Sequence, residues 1–167
     1  MARFSRKYDG HCHYAAHHPW GWEIYTRRMD LASERFPNHI MNLNKLTHLG
    51  PGTILSGEMT SFDSNGVDNF KNVSRVCRSL PEEARKLIDS NEVPEPVFVI
   101  YDVIFHNYKS LEEKSYDDRT KLWMMLSTPK QQNLISRVEY FNLKPSTWMQ
   151  TAKNNKWEGF VVTDGSS

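Results

Sequence analysis

The sequence has little cysteine and little net charge, and each shortage excludes a class of protein. Only two cysteines, Cys12 and Cys77, occur in 167 residues, too few and too far apart for a disulfide-stapled scaffold. The 21 Lys and Arg residues almost balance the 20 Asp and Glu residues, leaving a formal net charge of +1. Whole-chain charge therefore does not indicate a nucleic-acid partner, although a local basic cluster could still bind one.

Long apolar runs, internal repeats and low-complexity tracts are also missing. No stretch reaches the length of a membrane-spanning helix, and no apolar segment of a secretory signal follows the first basic residues. We therefore expect a protein of a reducing compartment, cytoplasmic, nuclear or at a viral replication site, neither secreted nor bound to a membrane. No linker divides the chain, so its length predicts one domain over residues 1–167.

A short motif near the start of the chain, Lys7-Tyr8-Asp9-Gly10, combines a candidate nucleophile with a carboxylate and a glycine. A lysine amine attacks only when it is neutral, which requires burial or nearby cations such as bound metal. Asp-Gly is also a common turn sequence. Taken alone, the tetrapeptide is compatible with either a nucleophile or a turn.

The first half of the chain predicts a hairpin, a helix and a strand. Residues 11–14 and 22–26 form the hairpin around a Pro-Trp-Gly turn, with Lys7 at one edge. A helix runs from Phe36-Pro37 to Leu46, and residues 53–59 form a strand.

The second half alternates helices and strands. Ser79 and Glu82 have the spacing of a capping box, which predicts a helix reaching about Ile88. The elements predicted after it are a central strand over 97–105, a helix after Ser115 with Leu122, Met125 and Leu126 buried, a strand over 134–141, a helix from Pro145 or Ser146 to Asn154, and a strand over 157–163. This order predicts an α+β fold.

Three residues in the predicted strands carry alternative interpretations. Glu58 is either a solvent-facing strand end or a site residue, beside a glycine, Gly57, that would let a ligand approach the backbone. Asp102 interrupts the most hydrophobic run in the chain, so it must be hydrogen-bonded, paired with a cation or facing a polar cleft. Tyr101 is either a core aromatic or a stacking platform.

The order of short motifs along the chain is more specific than any one of them. The motifs are Lys7-Tyr8-Asp9-Gly10, Thr26-Arg27, Phe36-Pro37, Gly57-Glu58, Tyr101-Asp102, Asp118-Arg119 with Leu122, and Glu158-Gly159-Phe160-Val161-Val162. Together they resemble the adenylation domain of ATP-dependent polynucleotide ligases, over nearly the whole chain. The K-Y-D-G and E-G-F-V-V forms are more similar to DNA ligases than to messenger RNA capping enzymes or RNA ligases.

The resemblance implies a fold and a reaction. The fold is ATP-grasp-like, with mixed, mainly antiparallel sheets flanked by helices. Lys7 would attack the α-phosphate of ATP, expel pyrophosphate and carry AMP as a lysyl phosphoramidate. The AMP would then pass to the 5′-phosphate of a nick in duplex DNA, as in DNA repair and replication.

The resemblance also implies roles for particular side chains. Glu58 would contact the ribose and Tyr101 would stack on the adenine. Glu158 would help to hold Mg²⁺, a hard cation that is bound through few carboxylates plus phosphate oxygens. Arg27 would engage the nick phosphate. The remaining implied nucleotide-binding residues flank the nucleophile: Arg6, Tyr8, Asp9 and Gly10.

Departures from the family pattern qualify this assignment. Cys12 stands where relatives commonly have an arginine that contacts the sugar, Tyr101 replaces a usual phenylalanine, and Thr163 replaces a lysine found in many relatives. We expect a partial adenylation domain, incomplete at both ends, without the oligonucleotide-binding fold domain that follows in the family. A second polypeptide could supply that domain and its lysine-rich motif. The alternative is a catalytically inactive nucleotide- or nucleic-acid-binding module of the same fold.

A histidine-rich segment on the predicted hairpin offers a third interpretation, zinc binding. The candidate ligands are His11, Cys12, His13, His17 and His18. Alternate strand residues point to opposite faces, and no C-x-x-C or H-x-x-x-H partner lies elsewhere, so we favour a polar, partly exposed hairpin.

Overall fold

The computed structural model describes residues 2–129, 133–142 and 144–166. The strands are β1 Ala2–Lys7, β2 Gly10–His18, β3 Gly21–Thr26, β4 Thr53–Thr60, β5 Val97–His106, β6 Lys109–Ser110, β7 Ile135–Arg137, β8 Tyr140–Phe141 and β9 Gly159–Asp164. The helices are α1 Pro37–Leu43, α2 Phe70–Arg78, α3 Pro81–Asp89, α4 Tyr116–Thr120 and α5 Trp148–Asn155, with single 3-10 turns at Ser33–Arg35 and Pro145–Thr147.

The strands form two sheets. The larger sheet has the order β3-β2-β4-β5-β6, all antiparallel, with β7 added parallel to β5. The smaller sheet has the order β8-β1-β9 and is antiparallel throughout. The predicted α+β class with mixed, mainly antiparallel sheets is confirmed.

The core lies between the larger sheet and its helices. Strand β5 contributes an almost continuous buried run, because it is covered on both faces. Helices α1 and α2 lie against β3 and β2, while α4 lies against β5. The largest fully buried side chains include Trp123, Phe36, Phe98, Ile24 and Leu43.

Several predicted elements differ from the structure at their ends. The predicted helix from Phe36 ends at Leu43 rather than Leu46. The predicted capping box is wrong, because the Ser79 hydroxyl donates back to the Arg75 carbonyl at 2.6 Å and the next helix begins at Pro81. Helix α2 was not predicted, and the Asn69 side chain caps its N-terminus.

The region after α4 also differs from the prediction. The single strand predicted over 134–141 is two strands, β7 and β8, which belong to different sheets. The buried position assigned to Met125 is wrong, since Met125 is exposed and Trp123 is buried instead.

Among the described residues, every helix is too short or too polar to cross a bilayer.

Candidate active site

Lys7 lies where the two sheets meet. It is the last residue of β1 in the smaller sheet and pairs there with Gly159 of β9. Tyr8 and Asp9 then cross to Gly10, the first residue of β2 in the larger sheet. The predicted position of Lys7 at the edge of the β2–β3 hairpin is therefore wrong. Lys7 lies at the junction between the sheets that precedes this hairpin.

Close contacts fix this crossing in place. The Thr60 hydroxyl donates to the Asp9 carbonyl at 3.0 Å. A Cβ atom at Gly10 would clash with the Met59 carbonyl oxygen, so only glycine fits against β4 here. The glycine of the motif is thus required for β2 to begin this close to β4 within the larger sheet.

A cleft of about 570 Å³ opens beside the crossing. Its walls include all the residues that the sequence suggested for nucleotide and metal binding, namely Arg6, Lys7, Tyr8, Asp9, Gly10, Glu58, Tyr101 and Glu158. Residues distant in sequence therefore converge on one concave site, and the volume of this cleft is typical of small-molecule sites.

Three carboxylates face the Lys7 amine across this cleft. Glu158 accepts a hydrogen bond from Lys7 Nζ, and both side chains are partly exposed. Burial raises the pKa of Glu58 to about 7; Lys7 opposes this rise, whereas Glu158 and Asp9 add to it. Burial and the nearby Glu158 also raise the pKa of Asp9. The site therefore gathers three carboxyl groups near one amine, and their mutual repulsion and burial oppose ionisation of Glu58 and Asp9.

Tyr101 is held at the back of the cleft from two sides. Its hydroxyl lies 3.4 Å from Cys12 Sγ, and its carbonyl accepts a hydrogen bond from the Tyr116 hydroxyl at 2.8 Å. Cys12 pairs directly across from Glu58 in the β2–β4 ladder. Burial and the Cys12 contact raise the pKa of the Tyr101 hydroxyl, which stays protonated. The ring is therefore a fixed, neutral wall.

The partner that Asp102 requires is Arg119. The guanidinium Nε and Nη2 atoms bond the two carboxylate oxygens at 2.8 and 3.1 Å, and both side chains are largely buried. The sequence predicted that Asp102 needs a partner but did not assign Arg119 to the site. Residues that line the cleft without having been proposed as site residues are Ser5, Asp102, Tyr116, Arg119, Val138, Val161 and Thr163.

Arg6 and Tyr8 line the cleft but are themselves almost fully buried. Arg6 pairs with Asp68 at 3.0 Å, and its guanidinium carbon lies 5.0 Å from the centroid of the Trp157 ring. Asp68 Oδ2 also accepts from the Asp9 amide at 3.4 Å. These contacts support the crossing, and a nucleotide-binding role for Arg6 and Tyr8 stays a prediction.

Gly57 does not provide the open space that the sequence suggested. A Cβ atom at this position would lie 2.6 Å from Cε2 of Phe98, so the core ring fills the space that a ligand was expected to use.

Arg27 lies outside the Lys7 cleft and lines a neighbouring cleft of about 720 Å³. The two clefts share Gly10 and Glu58. Arg27 is therefore next to the Lys7 cleft, and its predicted contact with a nick phosphate stays a prediction.

The hairpin histidines bind protein groups. The nearest partners are Ser74 for His11, the His11 carbonyl for His13, the Leu49 carbonyl for His17 and Glu23 for His18. In residues 2–129, 133–142 and 144–166, no group of three or more His, Cys, Asp or Glu side chains converges to hold a metal.

Two sheets that meet at Lys7, with carboxylates and an aromatic ring on the walls of one cleft, define a protein with a small-molecule site at the junction of its sheets. The sequence profile of the ATP dependent DNA ligase domain matches residues 1–167. The chain belongs to this family, and the predicted resemblance is confirmed.

Solved structures share the fold at low sequence identity. A mycobacterial DNA ligase D complexed with ATP and MES has a TM-score of 0.73 and 17% identity, over 99% of this chain and 49% of that chain. A Lig E DNA ligase has a TM-score of 0.62 and 13% identity, with 99% and 56% covered. An archaeal ATP-dependent RNA ligase has a TM-score of 0.60 and 17% identity, with 99% and 40% covered. The chain thus spans about half the length of these structures or less. No curated protein sequence matches it significantly.

Proposed function

We propose that this chain is the adenylation domain of an ATP-dependent DNA ligase, with Lys7 as its nucleophile. The neutral amine attacks the α-phosphorus of ATP, a nitrogen–phosphorus bond forms, the bond to the leaving oxygen breaks, and pyrophosphate departs. The AMP then moves from Lys7 to the 5′-phosphate of a nick, and a 3′-hydroxyl displaces it to seal the strand. The observation that carries the proposal is that Lys7 lines one cleft together with Glu58, Tyr101 and Glu158, and we refer to it as the nucleotide cleft.

The wall residues divide the recognition of ATP between them. The fixed ring of Tyr101 offers a flat surface for adenine, and Glu58, half-buried on β4, is the acceptor for the ribose hydroxyls. Asp9 and Gly10 line the same wall next to the nucleophile, together with the buried pair Arg6 and Tyr8.

The carboxylates fit a divalent cation. Glu158 is partly exposed and offers hard oxygen donors beside Asp9, as Mg²⁺ prefers when phosphate oxygens supply further ligands. Glu158 would hold Mg²⁺, which would offset negative charge on the phosphate during attack.

The nucleic-acid substrate and the remaining parts of the enzyme belong to the same proposal. Nicked duplex DNA would bind with its 5′-phosphate near Arg27, during repair or replication. Because the chain spans about half the length of its structural relatives, we propose that sealing uses further sequence, in the same chain or on a second polypeptide, including a lysine-rich motif and an oligonucleotide-binding domain. Free thiols at Cys12 and Cys77 support a reducing compartment, cytoplasmic, nuclear or viral.

Labelling with α-³²P-ATP and Mg²⁺ tests the proposal. The wild-type chain should acquire an acid-labile, alkali-stable label, and Lys7→Arg should lose at least a thousandfold, because the guanidinium keeps its charge but is not a nucleophile. Lys109→Arg, at an exposed strand position away from the cleft, is the matched control. Adding the downstream sequence of a related ligase in trans supplies the remaining motifs.

The same assay separates the alternative. A chain that binds ATP or nicked DNA but never labels Lys7, with or without the supplied sequence, would be an inactive binding module. Cys12, an uncharged residue opposite Glu58 in the β-ladder, is the feature that favours this alternative.

A further inference from the structure

The cleft beside the nucleotide site carries a group of arginines from three separate parts of the chain. Arg27 and Arg28 follow the end of β3, Arg35 ends the 3-10 turn before α1, and Arg78 is the last residue of α2. We refer to this group as the arginine cleft. Of these four arginines, only Arg27 was predicted from the sequence to be a site residue.

Two acidic residues lie among these four cations, and neither cancels them. Asp30 is exposed at the rim, and Glu58 is shared with the nucleotide cleft. Within the described part of the chain, none of the four arginines forms an ion pair with a carboxylate. Arginines without carboxylate partners in a concave site are suited to phosphate groups, which accept paired N–H bonds.

Neighbouring groups hold the arginines in place but carry no positive charge of their own. Arg35 is half-buried, and its Nε donates to the Ser79 carbonyl at 2.8 Å, which fixes the side chain. Burial, followed by the charge of Arg78, lowers the pKa of His11, so its ring is neutral. The positive charge of the cleft therefore comes from its arginines, which stay charged at all ordinary pH values.

The placement of the cleft selects its ligand. It adjoins the nucleophile's cleft at Gly10 and Glu58 and has about 720 Å³ of volume, wide enough for more than one phosphate. We infer that Arg28, Arg35 and Arg78 bind backbone phosphates of the polynucleotide substrate, at nucleotides beyond the reacting 5′-phosphate. This inference rests on the proposed function, because it extends the substrate of the same site.

Helix α2 supplies a matched pair of variants for the test. Arg75 and Arg78 both lie in its last turn and are both exposed, but Arg75 pairs with Glu92 at 2.6 Å and faces away from the cleft. Removing either charge changes the helix terminus alike, so Arg75→Gln controls for general electrostatics. Only Arg78→Gln removes a cation of the arginine cleft.

The measurement is equilibrium binding of a fluorescein-labelled nicked duplex to the full chain, over a range of salt concentrations. Arg78→Gln should weaken binding roughly fivefold at low salt and reduce the slope of log K against log salt by about one. Arg28→Gln should act in the same direction, and Arg75→Gln should stay within about twofold of wild type. Equal losses for Arg75→Gln and Arg78→Gln, or no loss for Arg78→Gln, would overturn the inference.

A second arm distinguishes the two possible sources of phosphate. The triphosphate of ATP has the same chemistry, so ATP affinity is measured calorimetrically on the same variants. We expect wild-type affinity for ATP in Arg78→Gln, and a parallel loss of ATP and duplex binding would assign the cleft to the triphosphate instead. Duplex binding needs no adenylation, so failure to label Lys7 would remove the proposed reaction while leaving the phosphate site separately measured.

Discussion

The nucleotide cleft and the arginine cleft share Gly10 and Glu58 but differ in charge and in partners. The first gathers Asp9, Glu58 and Glu158 around Lys7, whereas the second presents arginines without acidic partners among the described residues. Carboxylates repel a phosphate until a cation intervenes, while arginine attracts it directly. Under the proposed function, we therefore expect ATP binding in the first cleft to depend on a metal and phosphate binding in the second to be independent of one.

The largest expected effect is the loss of stability when the Asp102–Arg119 pair in the wall of the nucleotide cleft is broken. Arg119→Ala should lower the free energy of unfolding by about 2–4 kcal/mol, because it leaves Asp102 largely buried without its cation. Chemical denaturation measures this, with Arg75→Ala as a comparison, since Arg75 and its partner Glu92 are both exposed. A loss no larger than that of Arg75→Ala would mean that the Asp102–Arg119 pair contributes no more than a surface ion pair.

Glu58 borders both clefts and should make stability depend on pH. Its folded pKa of about 7 exceeds the ordinary 4.5, so its contribution to stability is fully present below pH 4.5 and is lost as pH rises through 7. Glu58→Gln cannot ionise and should be more stable than wild type by roughly 1–3 kcal/mol at pH 8.

The two proteins should differ little at pH 4. Thermal unfolding at both pH values measures the difference, and a gain in Glu58→Gln that is the same at pH 4 and pH 8 would contradict the assignment.

Variants of Tyr101 test whether its ring in the nucleotide cleft contributes to ATP affinity. Tyr101→Leu should raise the Kd for ATP about tenfold, because one stacked base contributes on the order of 1–3 kcal/mol. Tyr101→Phe keeps the ring and loses only the hydroxyl contacts with Cys12 and Ser56, so its Kd should stay within about threefold. Calorimetry provides both values, and equal losses would show that the hydroxyl rather than the ring is responsible.

The smallest effect should be that of Arg78→Gln on folding. Arg78 is exposed and has no ion pair among the described residues, so the free energy of unfolding should change by less than about 0.5 kcal/mol. Thermal denaturation gives this value. A larger loss would make Arg78 structural and would weaken its contrast with the buried Asp102–Arg119 pair.

The sequence predicted the nucleotide cleft better than the arginine cleft for a physical reason. Lys7 and Gly10 are neighbours in the chain, and the buried Asp102 demanded a partner from its own environment. Arg35 and Arg78 lie in one cleft only because a 3-10 turn and a helix C-terminus come together beside β2 in the folded chain. No local sequence pattern predicts this tertiary contact.

The errors in the fold have the same origin. Ser79 has the spacing of a capping box, yet its hydroxyl bonds to the preceding helix, because Pro81 already provides a helix start. The apolar alternation over 134–141 does correspond to strands, but β7 pairs with β5 in the larger sheet and β8 pairs with β1 in the smaller one. Periodicity specifies strands, and tertiary contacts decide which sheet receives them.

The crossing at Tyr8–Asp9 also separates the proposed roles of the site residues between the two sheets. The smaller sheet carries the proposed nucleophile Lys7 and, next to β9, the proposed cation ligand Glu158, whereas the larger sheet holds Glu58 and Tyr101. Under the proposed function, nucleotide preference and reactivity would therefore depend on different sheets. Substitutions on β4 and β5 can be selected for nucleotide analogues with altered bases while the reactive strand is left unchanged.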